Sequence, residues 1–422
     1  MDEKKIARLD KALVSAAKSV KVLNALAWPA DSEEKFLHDW RTGKPKLPHI
    51  ELQARDLSDN ITALEAIAAQ CQADDPVEKF LLETAHSYAD AARMLGAIGT
   101  PEFTRYSVRL YGRPDHLYKL QGLTPMDAAR YFLQVTDDLL GTTHIPVTDF
   151  DITATDFSKW LQVEVDKFFE PGTVTIKLDP ELAAKAIAGA KRIRVRASAA
   201  FSTLDKEQLL YHEAFVHAGT MLNGKNQKNL RALALGAPRT TRTQEGIAVL
   251  AELVTNSMDI SRLRRIALRV LAVQQALDGA DFIDLFKFFL EAGQSEEESV
   301  RSAQRIFRGG AVKGGVVFTK DAVYLTGLFE VHTFLRVAIR DNRPELIRNM
   351  FAGRLTLADS LRMAPLFASG WLQPPRYLPT WAADLRRLAA LIAFSAFITN
   401  IRLDRIYLDR LFELEDEIKE LA

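Results

Sequence analysis

A chain of 422 residues, 48% of them hydrophobic, is long enough to bury one large core or two to three smaller ones. Its 55 basic and 55 acidic residues cancel, which removes the case for nonspecific nucleic-acid binding but leaves room for a local charged groove. One cysteine, Cys71, cannot make an internal disulfide, so a reducing cytoplasm is the expected setting.

Taken in chain order, the first residues pass from charged Met1–Lys5 into an amphipathic stretch with no apolar h-region, so no secretory signal is expected. A helix is predicted over about 5–26, stopping at Pro29, followed by a polar, proline-bearing stretch through Pro48. Helical periodicity returns over about 51–71, 76–96 and 125–140, and 143–155 reads as extended. Val174, Ile176 and Leu178 alternate with polar residues, a strand signature. Pro180 is expected to start a short helix ending near Gly189. Residues 192–198 place arginine at every second position, as a half-buried strand with one basic face does. Such a strand suits an edge position beside a catalytic centre, where it can pair with an extended peptide.

His212-Glu213-Ala214-Phe215-Val216-His217 follows, in a chain with only eight histidines. Histidines four residues apart share one helical face, but these are five apart, which on an ideal α-helix turns the side chains roughly 140° from one another. A single π-type turn brings positions i and i+5 back to one face, and such turns concentrate at functional sites. A π-bulge is therefore predicted between Glu213 and His217. By spacing alone the pair reads equally well as two ordinary helix residues. Thr243 is expected to cap a second helix, with Glu245 in its first turn and Gly246 allowing a close approach. Two imidazoles, a carboxylate and a spare glutamate are the parts of a catalytic zinc hydrolase. Asn223-Gly224 reads as a turn after the zinc helix. Helices are expected at about 243–256, 258–277, 281–291, 295–308, 320–340, 356–366, 381–399 and 401–420. Gly309-Gly310 and Gly314-Gly315 punctuate a loop before the fifth of these. No stretch reaches the roughly 18 apolar residues expected of a membrane span.

Three blocks together resemble one family. They are His212–His217 with Thr220-Met221-Leu222-Asn223-Gly224; Thr243-Gln244-Glu245-Gly246-Ile247-Ala248; and Gly314-Gly315 through Thr319-Lys320-Asp321-Ala322-Val323-Tyr324-Leu325-Thr326-Gly327. A weaker match is Tyr111-Gly112-Arg113-Pro114. The chain resembles the QEGLA-motif metallopeptidases, long filed as a domain of unknown function, whose animal members include the microtubule-associated tyrosine carboxypeptidases. The resemblance implies one Zn²⁺ held by His212, His217 and Glu245, with Glu213 as general base and Tyr324 as oxyanion donor. Tyr324 also reads as a half-buried tyrosine bonded to backbone. The substrate's terminal carboxylate would meet Arg242, Arg239 or Lys320, with Asn223 a further substrate contact.

The expected fold is α+β: a helix-rich body with a small, partly antiparallel sheet beside the active-site helix. Residues 1–100 would form a helical cap, 101–370 the metallopeptidase core and 371–422 helices packed on it. The expected activity is removal of a C-terminal residue, an aromatic one by resemblance, from a peptide or protein tail, with neither nucleic acid nor membrane as partner. A zinc amidase or processing endopeptidase is one alternative. A regulatory protein is another, since the family nickname carries a label of modulating flavohaemoglobin expression.

Overall fold

The computed structural model describes residues 2–29, 31–117, 122–142, 150–182 and 184–398. The first helix, α1 (Glu3–Ala17), is capped by Asp2 and ends nine residues earlier than expected, because the chain turns at Lys18 to bury Val20 and Leu26. Helix α2 (Ser32–Arg41) lies in the stretch read as polar connector. Next come α3 (Ser58–Ala68) and α4 (Pro76–Gly96), the latter with Asp75 capping and proline at its first position, a start signal legible in the sequence. Proline also opens α5 (Pro101–Tyr111) and α6 (Pro125–Thr142).

Of the segment expected to be extended, the described part from residue 150 holds a short strand, β1 (Ile152–Thr153). The chain then enters α7 (Ala154–Phe169), capped by the Thr153 side chain. Three strands make the main sheet. β2 (Thr175–Asp179) runs parallel to β4 (Arg192–Arg196), and β3 (Ala186–Ala188) pairs antiparallel with β4 on its other side. The short helix expected after Pro180 is thus replaced around 186–188 by a strand, where pairing to β4 overrides the helical preference of alanine. The basic strand β4 is central, with β2 and β3 at the two edges. Strand β5 (Ala200–Phe201) pairs antiparallel with β1.

From here the chain is helical. Ser202 and Asp205 close a capping box on α8 (Thr203–Leu209). A π-helical segment, Leu210–Ala218, continues it into α9 (Gly219–Lys225). Helices α10 (Pro238–Val254), α11 (Ile260–Leu277), α12 (Phe282–Glu291) and α13 (Glu296–Phe307) follow. A 3₁₀ turn over Thr319–Ala322 leads into α14 (Val323–Arg340). Short helices and α15 (Leu385–Ile398) complete the described chain. The helix expected over 401–420, with Leu408, Leu411 and Leu414, lies outside the described residues.

Apolar side chains gather in three clusters. The largest joins α1, α3, α4 and α5 to α10, α14 and residues near the C-terminal end, so residues from all three sequence regions share it. A second covers the inner face of the sheet with α7 and the π-helical segment, and a third is the phenylalanine-rich packing of α2 with α11, α12 and α13. The π-helical segment lies between the first two, giving Val216 to one and Ala214 and Ala218 to the other.

Helices α10 and α14 meet at two glycines. A Cβ on Gly246 would come 2.3 Å from Gly327 O, and a Cβ on Gly327 would come 2.1 Å from Arg242 O. Only glycine at both positions lets the backbones approach this closely. By length and composition Thr319–Arg340 meets the test for a membrane span that no stretch was expected to meet, but half of it is buried here against its neighbours, as a core helix is.

Candidate active site

The π-helical turn does what the five-residue spacing requires. The His212 and His217 rings face each other with centroids 4.8 Å apart and planes at 88°. Two of its carbonyls also have side-chain partners: Thr220 Oγ1 lies 2.8 Å from Val216 O, and Arg354 Nη2 is 3.5 Å from His217 O. Glu245 comes from α10. That helix starts at Pro238, so Glu245 lies two turns inside it rather than in a first turn capped by Thr243. Its Oε2 stands 3.5 Å from His212 Nε2 and 3.6 Å from His217 Nε2, and one donor atom from each residue lies within 4.8 Å of the others.

These separations are long for hydrogen bonds, and Glu245 Oε2 is buried without a hydrogen-bond partner. They suit donors sharing an ion: tetrahedral ligands each about 2.0–2.1 Å from zinc lie about 3.3 Å apart. An orphaned carboxylate oxygen aimed between two imidazoles is thus a donor set that could hold a metal ion.

Charge around the trio is arranged to hold it. Burial works against the Glu245 carboxylate, but Lys320 and the two rings outweigh it and keep Glu245 well below the usual carboxylate range. Lys320 Nζ donates to Glu245 Oε1 at 3.0 Å, leaving Oε2 for the histidines. Behind His212, Glu252 Oε1 accepts from Nδ1 at 2.6 Å, and Arg262 grips both Glu252 oxygens at 3.0 Å. This fixes the ring's orientation and frees Nε2 to face Glu245. Burial disfavours the His212 imidazolium, but Glu245 and Glu252 outweigh it and push the ring up to about 10. His217, whose Nδ1 is buried without a partner, is pushed down by burial.

Glu213 turns to the sheet, where its Oε2 accepts from Ala188 N of edge strand β3 at 2.8 Å. With His212 and Tyr324 it lines a cleft of about 200 Å³. The Tyr324 hydroxyl accepts from Lys320 Nζ and Arg305 Nη2, each at 3.3 Å, so its own proton is free for a further acceptor. Arg262, Arg265 and Arg269 from α11 and Arg301, Arg305 and Arg308 from α13 and its end also line the cleft.

Three residues expected at the substrate stand elsewhere. Asn223 is buried; its amide donates to Phe351 O and Tyr377 O and accepts from Tyr377 N, so it brackets two backbone segments. Asn223-Gly224 is no turn but part of α9, where a Gly224 Cβ would come 2.3 Å from Leu233 O. Arg242 points from α10 into a separate cavity beside Tyr111 and pairs with Glu330 at 3.1 Å. Arg239 is tied to Asp359 at 2.8 Å and to Glu83, away from the trio. Spacing fixes where a charge falls along a helix, but not which side of the helix is buried against a neighbour.

Sequence reasoning missed Glu252 and the arginine wall. Both had a signal. Glu252 lies seven residues after Glu245 on one helix face, a glutamate inside an apolar run, and Arg262/Arg265/Arg269 and Arg301/Arg305/Arg308 form same-face stripes.

The helix-rich fold thus brings together three side chains that could hold a metal ion, an adjacent carboxylate and a basic cleft. The sequence pattern of the microtubule-associated tyrosine carboxypeptidase family matches residues 34–400, and the chain belongs to that family. No individual curated protein matches the sequence.

Proposed function

We propose that the chain is a zinc-dependent carboxypeptidase that removes the last residue, tyrosine by its family, from a protein or peptide tail. The observation that carries the metal is the convergence of His212 Nε2, His217 Nε2 and the orphaned Glu245 Oε2. Zinc, when bound, would supply Lewis acidity toward a carbonyl and toward water.

The chain's own residues supply the rest. Glu213, held at its Oε2 by Ala188 N, takes the proton from the attacking water and returns it to the leaving amine. The Tyr324 hydroxyl, accepting from Lys320 and Arg305, donates a hydrogen bond to the oxyanion. Lys320 holds Glu245 in place: burial alone would discharge its ammonium, but Glu245 outweighs burial and keeps Lys320 above the ordinary lysine value. The basic cleft receives the anionic end of the tail. A reducing cytoplasm suits the lone, half-buried Cys71, whose thiol burial pushes up to about 11.

A digest of a peptide library with free and amidated C-termini, read by mass spectrometry, tests this reading. Loss of single C-terminal residues from free peptides, with amides spared, is the expected result. Internal cleavage, or equal turnover of amides, would overturn it.

A further inference from the structure

Most cations of the cleft are already committed. Arg262 is on Glu252 and Arg265 reaches Glu298 at 3.3 Å. Arg301 is on Glu33, while Arg305 takes both Asp321 oxygens at 2.6 and 2.7 Å. Arg269 has only a share of the same Asp321, at 3.8 Å. Arg308 has no such partner: its Nε is buried without a hydrogen bond, and among the described residues it enters no ion pair. A guanidinium whose Nε is buried without a hydrogen bond, and which has no ion-pair partner among the described residues, is costly to fold, so folding alone gives no reason to keep it.

Its backbone is built to present it. Arg308 follows buried Phe307 at the end of α13. Gly309 has φ 72°, and a Cβ there would come 2.6 Å from Leu26 and Phe103. A Cβ on Gly310 would come 2.1 Å from Val316 O. Gly99 N donates to Gly309 O at 2.9 Å. The glycine pair is therefore a pinned support.

Position along the cleft gives the ligand. Arg305 touches the Tyr324 hydroxyl. Arg308 lies three residues further, an advance of about 4.5 Å along a helix. That is close to the length of one residue, about 3.8 Å between successive Cα atoms.

We propose that Arg308 binds the α-carboxylate of the substrate's last residue and so determines that cleavage is terminal. This rests on the carboxypeptidase reading and assigns its specificity to one side chain. Arg269 assists from α11.

The test compares the wild-type protein with Arg308→Gln and Arg308→Lys. The zinc-loaded proteins cleave a tyrosine-ending peptide and its C-terminal amide, and calorimetry measures binding of N-acetyl-tyrosine and its amide. The wild type should prefer the free acid in both assays. Arg308→Gln should lose that preference, with a roughly 10- to 100-fold drop for the acid and little change for the amide. Arg308→Lys should fall between, because it keeps the charge and loses the two-pronged geometry. The melting temperature of Arg308→Gln should equal or exceed the wild-type value, since an uncompensated charge is removed. A wild type without preference overturns the carboxypeptidase reading. A wild type that prefers the acid beside an Arg308→Gln variant that still does overturns the Arg308 assignment alone, and a lower melting temperature with preference intact marks Arg308 as a packing residue.

Discussion

Glu213 and Glu252 are both glutamates within reach of His212, yet the fold gives them opposite work. Glu213 opens onto the cleft and is steadied by one backbone N–H. Glu252 is fully buried behind the ring, where it also holds Arg262 and Gln208. Glu213→Gln should therefore lower kcat by about 10²–10⁴-fold while zinc content stays unchanged; activity near wild type would remove Glu213 as the base. Glu252→Gln should instead weaken zinc binding by roughly 10–100-fold, measured by competition with a chromophoric chelator. Unchanged zinc affinity there would mean that the Glu252–Arg262 pair supports packing only. The His212, His217 and Glu245 constellation was legible because only a few residue types bind zinc and the spacing named its own distortion. Arg242 and Asn223 misled because each looks polar in sequence and each is spent on the protein's own interior.

At the scale of elements, the crossing of α10 and α14 places Lys320 and Tyr324 beside Glu245. The two glycines that permit it were visible in the motif blocks, but the partner of each was not, since nothing local says which backbone approaches. Gly246→Ala should destabilise by about 1–3 kcal/mol or more and reduce activity, read by denaturant titration and peptide turnover. A variant as stable and active as wild type would show that the crossing tolerates separation. Asp321, in the 3₁₀ turn between the glycine loop and α14, ties Arg305 and Arg269 together. Burial opposes its charge, but Arg305 and Arg269 outweigh burial and hold Asp321 far below the ordinary carboxylate value. A carboxylate depressed in this way contributes stability that is fully present above its unfolded pKa, near 4, and is lost as pH falls from there through its much lower folded value. Asp321→Asn should cost about 3–5 kcal/mol at pH 7 and flatten the acid limb of the stability curve between about pH 5 and 2. An acid limb as steep as wild type would place that pH dependence elsewhere.

For the whole molecule, the α+β class, the helical second half and strands β2 and β4 were readable from periodicity. Helices opening on proline, α5 above all, carried a start signal that periodicity alone passes over. Strand β3 was hidden because its alanines favour helix and only pairing with β4 makes it a strand. The reach of the largest core from α1 to residues near the C-terminal end depends on contacts between distant segments, which no window of sequence contains. That core and the sheet's own cluster clamp the π-helical segment from two sides, which holds an unusual turn in register.

The most direct measurement is a crystal structure of the purified protein with anomalous data at the zinc absorption edge. One zinc per chain is predicted, bound by His212 Nε2, His217 Nε2 and Glu245 Oε2 at about 2.0–2.2 Å. A protein that cleaves tyrosine-ending peptides with no metal among these three side chains would contradict the account.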